Sequence, residues 1–133
     1  MISVAIDTSV LLSIFKGEKE GAEWLEFIQV LAETKSLIVS SVVLSEVRSF
    51  FPTDVQCMKA LRALELRHSV LGEEAALLAG KIFRSYRSKG GPRTTILPDF
   101  LIAAHASIQA DALATVDRGY LRSYFPSVRL LKP

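Results

Sequence analysis

Short runs of apolar residues rich in β-branched side chains alternate along this chain with longer stretches whose apolar positions recur every three or four residues. The first pattern suits strands and the second amphipathic helices, so their alternation predicts an α/β fold, a central parallel sheet flanked by helices. Residues 2–6 read as the first strand. Thr8 and Ser9 offer capping hydroxyls before a short helix from Val10 to Lys16, which Gly17 can end. A second helix over about 18–33 places Trp24, Phe27, Ile28 and Leu31 on one face, and residues 36–40 form the next strand. A helix from Ser41 to Phe50 breaks near Pro52, and Asp54 is placed to cap another over 55–66, followed by a short strand at 68–71. The next helix begins near Gly72 and buries Ala75, Leu78, Ala79, Ile82, Phe83 and Tyr86. Lys89 to Thr95, with Gly90-Gly91-Pro92, reads as a loop. Pro98 suits the first turn of a helix reaching Ala110. A strand at 112–116, a short helix at 118–124 and a last strand over 128–131 complete the expectation.

A chain of 133 residues supports one domain, residues 1–133, with its own core. Half the residues are hydrophobic, yet charges interrupt every run well short of the roughly 20 apolar residues that span a membrane. The N-terminus enters a strand directly without the pattern of a secretory signal, so a cytoplasmic location is expected. The single cysteine, Cys57, has no disulfide partner in the chain and reads as a core residue.

Candidate chemistry rests on four acids that end or interrupt apolar segments: Asp7, Glu46, Asp99 and Asp117. Asp7 and Asp117 follow predicted strands, and ligands bind at the carboxyl ends of strands in open parallel sheets. Carboxylates gathered there repel one another unless a proton or cation lies between them, and such hard oxygen donors suit Mg²⁺ or Mn²⁺. Each acid also has a plain structural role open to it. Asp7 can cap a helix, Glu46 can reach solvent from the edge of an apolar face, Asp99 can favour its helix dipole, and Asp117 can begin a turn. Ser9 and Thr115 are candidates for hydroxyls that orient the carboxylates. His105 lies six residues after Asp99 and so points away from it on a helix, as expected of a core or surface histidine.

Charge is unevenly spread. Residues 1–74 carry seven basic and eleven acidic side chains, whereas residues 75–133 carry nine basic and three acidic ones. The later half suits a phosphate-bearing partner. Lys81, Arg84, Arg87, Lys89 and Arg93 form its densest part.

The segments Ile6-Asp7-Thr8-Ser9-Val10-Leu11-Leu12, Ser45-Glu46-Val47, Pro98 to Ala106 (PDFLIAAHA) and Leu113 to Tyr120 (LATVDRGY) together resemble a PIN-domain ribonuclease, closest in flavour to the VapC-type toxins of toxin–antitoxin pairs. The resemblance spans nearly the whole chain. It implies that Asp7, Glu46, Asp99 and Asp117 share one Mg²⁺ or Mn²⁺ pocket, with Ser9 and Thr115 at the family's supporting positions. It implies also an RNA substrate, a small cognate antitoxin and a homodimer, and the uneven charge then makes Lys81, Arg84, Arg87, Lys89, Arg93, Arg118 and Arg122 the candidates for holding RNA phosphates beside the pocket. Tyr120 stands where the last motif often has Phe. Two other readings stay open: a phosphoacceptor signalling domain, which needs an acceptor Asp after a middle strand where this sequence places Ser40-Ser41, and a non-catalytic PIN-like RNA-binding scaffold.

Overall fold

A computed structural model describes residues 2–116 and 119–133, so Asp117 and Arg118 lie outside the described residues. Strands β1 (Ser3–Ile6), β2 (Ser36–Ser40), β3 (Leu66–Ser69), β4 (Ala112–Ala114) and β5 (Leu130–Leu131) form one parallel sheet in the order β3-β2-β1-β4-β5. The helices among the described residues are α1 (Thr8–Phe15), α2 (Gly21–Ala32), α3 (Ser41–Arg48), α4 (Asp54–Ala63), α5 (Glu73–Ser88), α6 (Leu97–Gln109) and α7 (Gly119–Tyr124). Consecutive residues of β1, Val4, Ala5 and Ile6, are all buried, as are Leu37, Ile38 and Val39 of β2. Neighbours on a strand point to opposite faces, so helices cover both sides of the central sheet.

The chain builds outward from β1 through β2 to β3, then returns to the other side of β1 as β4 and β5. That reversal places a switch point between the carboxyl ends of β1 and β4, where an open sheet leaves a crevice for ligands. It also corrects the sequence reading of the phosphoacceptor alternative. The middle strand is β1, which ends in Asp7, and not β2 with its Ser40-Ser41. Chain order conceals this, because the first strand becomes central only when the later strands add on both sides.

The end of α4 and the start of β3 both differ from the expected positions for one identifiable reason. Helix α4 stops at Ala63 because Glu65 takes a left-handed backbone conformation, φ 61°, and Leu66 then opens β3 two residues before the expected strand start. Glycine usually marks such a turn, so an acidic residue in that role leaves little signal. Asp54 does not cap α4. Thr53 does, accepting the Gln56 N–H on its Oγ1 at 3.2 Å, while Asp54 forms an ion pair with Arg48.

Elsewhere packing follows the apolar pattern. Ala75, Ala79 and Tyr86 of α5 are buried against α6, and the basic residues Lys81, Arg84 and Arg87 are exposed on its other side. Phe100 of α6 is fully buried among Phe83, Tyr86, Tyr120, Tyr124 and Phe125, with ring centroids 5.1–6.3 Å away. Burial of such a side chain is worth about 1.5–3 kcal/mol. Gly21 lets α2 approach α1, since a Cβ there would stand 2.5 Å from the Ser13 carbonyl oxygen. Cys57 is buried, as expected, and burial pushes its thiol pKa up.

His105 is a core residue with no exposure. Its Nε2 lies 3.0 Å from the Ser69 hydroxyl, which ties α6 to the edge strand β3, and burial, followed by the proximity of His68, holds its pKa below the usual histidine value.

Candidate functional site

Asp7 occupies the N-cap position of α1, yet its side chain makes no capping hydrogen bond. Both of its hydrogen bonds come from hydroxyls, Ser9 Oγ at 3.0 Å and Thr115 Oγ1 at 2.6 Å, and both reach the same oxygen, Oδ2. Among the described residues Oδ1 has no hydrogen-bond donor. A carboxylate only 7% exposed, clamped on one oxygen, presents the other in a fixed direction. The hydroxyls expected to orient carboxylates, those of Ser9 and Thr115, are therefore brought together with Asp7, Thr115 from 108 residues away in sequence. The register of β1 with β4, Ile6 opposite Ala114, and the Asp7 N–H donating to the Ala114 carbonyl at 3.0 Å set this meeting.

Thr8 has a role the sequence reading missed. It lies inside α1, which starts two residues earlier than expected, and its Oγ1 donates to Glu46 Oε1 at 2.6 Å instead of capping the helix. Glu46 on α3 is thereby tethered to the residue beside Asp7. The signal available was only a hydroxyl adjacent to an acid, because the partner is 38 residues away. Packing of α3 against α1 and α6 brings the three elements to one corner.

Asp99, in the first turn of α6, accepts the Ile96 N–H on Oδ2 at 2.9 Å. The helix-end role open to it in the sequence is thus realised, through a bond that holds the carboxylate at the mouth of α6. Asp117 belongs to the residues not described. Among the described residues no group of three or more His, Cys, Asp or Glu side chains is close enough to hold a metal ion by itself. The donors present are nonetheless of the class that suits Mg²⁺ or Mn²⁺: Asp7 with an oriented Oδ1, and Glu46 fixed by a neutral hydroxyl and, among the described residues, with no cation paired to it.

Of the basic residues singled out in the sequence, Arg122, Arg87 and Arg93 line hollows that include residues next to the candidate acids or clamping them. Lys81, Arg84, Arg87, Lys89, Arg93 and Arg122 are all exposed. Arg122 and Lys132 line a hollow of about 150 Å³ with Thr115, the residue that clamps Asp7. Arg87 lies over the Phe83 ring, 5.8 Å from its centroid, and lines a second hollow with Arg93 and Ile96.

Comparison with known proteins identifies the family and the fold. The family model described as "PIN domain" matches residues 4–125. Among curated proteins no sequence matches the chain. Solved structures do: VapBC2 from Rickettsia felis bound to a DNA fragment from their promoter (20% identity, TM-score 0.74, 98% of each chain covered) and VapBC-1 from nontypeable Haemophilus influenzae (18%, TM-score 0.69, 98% of this chain and 97% of that one). DNA-bound VapBC from Salmonella typhimurium is similar as well (21%, TM-score 0.62, 98% of each chain). At these identities the likeness is one of fold. No helix among the described residues is long and apolar enough to cross a membrane.

Proposed function

Since this chain belongs to the PIN-domain family, we propose that it is a Mg²⁺- or Mn²⁺-dependent endoribonuclease that hydrolyses RNA phosphodiester bonds in the cytoplasm, the toxin of a toxin–antitoxin pair. The observation that carries this reading is the double hydroxyl clamp on one oxygen of a nearly buried Asp7, which costs a helix cap and makes sense if the other oxygen has a cation to meet. Asp7, Asp99 and Asp117 would hold the ion. When bound, it supplies a lowered pKa for water and stabilises negative charge building on the phosphate. Glu46, steadied by Thr8, adds a further ligand or receives the proton of the attacking water. Ser9 and Thr115 keep Asp7 from rotating. Lys81, Arg84, Arg87, Lys89, Arg93, Arg118 and Arg122 draw RNA phosphates to the rim, and single-stranded or looped RNA is the target because its backbone can bend into a recessed corner. The structural neighbours, solved as VapBC assemblies, support a small cognate antitoxin as partner, and the reading includes a homodimer.

Incubation with structured and single-stranded RNA tests the activity: cleavage in Mg²⁺ or Mn²⁺ should stop in chelator and return when the ion is restored. Expression should arrest growth, and co-expression of the adjacent reading frame should relieve it. RNA binding without turnover in either ion would favour the non-catalytic scaffold. Thr115→Val offers a finer check, because it removes the shorter hydroxyl bond to Asp7 while keeping shape. Loss of a partner that orients a metal ligand typically costs about 10–100-fold in metal affinity or activity, and that drop is expected in a metal titration and in the cleavage rate. Ser9→Ala, at a longer bond, should lose less.

A further inference from the structure

The loop between α5 and α6 arches over an aromatic floor and leaves a cleft of about 660 Å³ between itself and α7. Tyr86, Tyr120 and Tyr124 line it together with Lys89, Gly90, Gly91, Thr94 and Thr95. The cleft is built rather than incidental. Tyr86 is 4% exposed and its hydroxyl donates to the Pro92 carbonyl at 2.5 Å, pinning the loop to α5. A Cβ on Gly91 would stand 2.4–2.5 Å from the Tyr86 ring, so only glycine allows the loop to lie this close. Gly90 turns the chain at φ 75°. Tyr120 rests against Phe100 (centroids 5.4 Å) and Tyr124 against Tyr86 (5.3 Å), so both rings are braced from behind by the core.

Position gives the cleft its meaning. Thr95 lines it, and the next residue, Ile96, donates its N–H to Asp99 Oδ2 at 2.9 Å. The wall of the cleft is thus joined, through Thr95 and Ile96, to a carboxylate of the candidate metal site. Polarisable aromatic side chains, backbone and hydroxyl hydrogen-bonding groups and a cation lining one cleft are the combination by which proteins hold unpaired bases of single strands.

We propose that this cleft is a nucleobase subsite: Tyr120 and Tyr124 stack an unpaired RNA base beside the cleaved phosphate, Lys89 holds a neighbouring phosphate, and the loop 89–95 edges the base. The proposal rests on the ribonuclease reading and deepens it, since it makes an unstacked base at one position a requirement of the substrate.

The test measures binding in chelator, where no cleavage occurs, with single-stranded RNA carrying 2-aminopurine at successive positions. One position should be quenched by the wild-type protein. Tyr120→Phe should retain that quench. Tyr120→Leu should lose it and bind about tenfold more weakly, with the dependence on salt unchanged because stacking releases no counterions. Lys89→Ala should instead flatten the salt dependence. An abasic nucleotide at the quenched position should cost the wild type about the same tenfold and cost Tyr120→Leu little more, since both remove one contact. If Tyr120→Leu does not keep a cooperative melt, the abasic series on the wild-type protein decides. Absence of a quenched position, or equal affinity for abasic and intact RNA, overturns the subsite while metal-dependent cleavage still stands. A wild type that neither binds nor cuts RNA overturns both.

Discussion

Asp7→Asn should lower metal-dependent RNA cleavage by at least about a hundredfold while the protein stays folded, a scale set by what displacement of a reacting group by about 1 Å costs. Asparagine keeps the shape of the side chain, and its amide oxygen can still accept from Ser9 and Thr115. What it loses is the anionic oxygen on the far side of the clamp. Glu46 is tethered to the neighbouring residue, so the metal-free corner also loses a source of like-charge repulsion, and the melting temperature without metal should hold or rise. Added Mn²⁺ should raise the melting temperature of the wild type and leave that of the variant unmoved, because an ion that binds only the folded state stabilises it by mass action. Asp99→Asn and Asp117→Asn should behave alike in the cleavage assay. Equal cleavage by the wild type and all three variants would remove these acids from the reaction.

The second large effect concerns the basic surface. Arg84→Ala, Arg87→Ala and Arg93→Ala combined should weaken RNA binding and reduce the slope of log affinity against log salt by about two, the value for three phosphate contacts on a single strand. These side chains are exposed, and Arg87 is additionally spread over Phe83, so their loss should leave the core and metal binding untouched. An unaltered slope in a folded variant would mean that this face of α5 is only solvated.

Both experiments bear on features whose legibility in the sequence differs. The alternation of strands and helices could be read directly: β2 and the start of α3 fall at the expected residues, and α6 within one residue of its expected limits. The reason is local, since burial on both faces demands continuous apolar runs in the strands and one-sided burial demands helical periodicity. Asp7, Glu46 and Asp99 could be singled out on the same basis, as charges set against apolar runs.

Tertiary structure decided what those charges do. A hydroxyl next to a helix start can serve the backbone or a carboxylate, and sequence does not distinguish the two. Thr8 and Ser9, readable as caps, turn to Glu46 and Asp7, whereas Thr53 does cap, displacing the expected Asp54. Thr115 meets Asp7 only because β4 adds beside β1, and the central place of β1 follows from the order in which strands join, which no local pattern encodes. The left-handed Glu65 that shifts β3, and the approach of Gly91 to the Tyr86 ring that shapes the cleft, depend likewise on contacts closed by the whole fold. Local propensity by itself therefore determined the elements and the acids they carry. The orientation of each carboxylate was decided by hydrogen bonds between residues that only the folded chain makes neighbours.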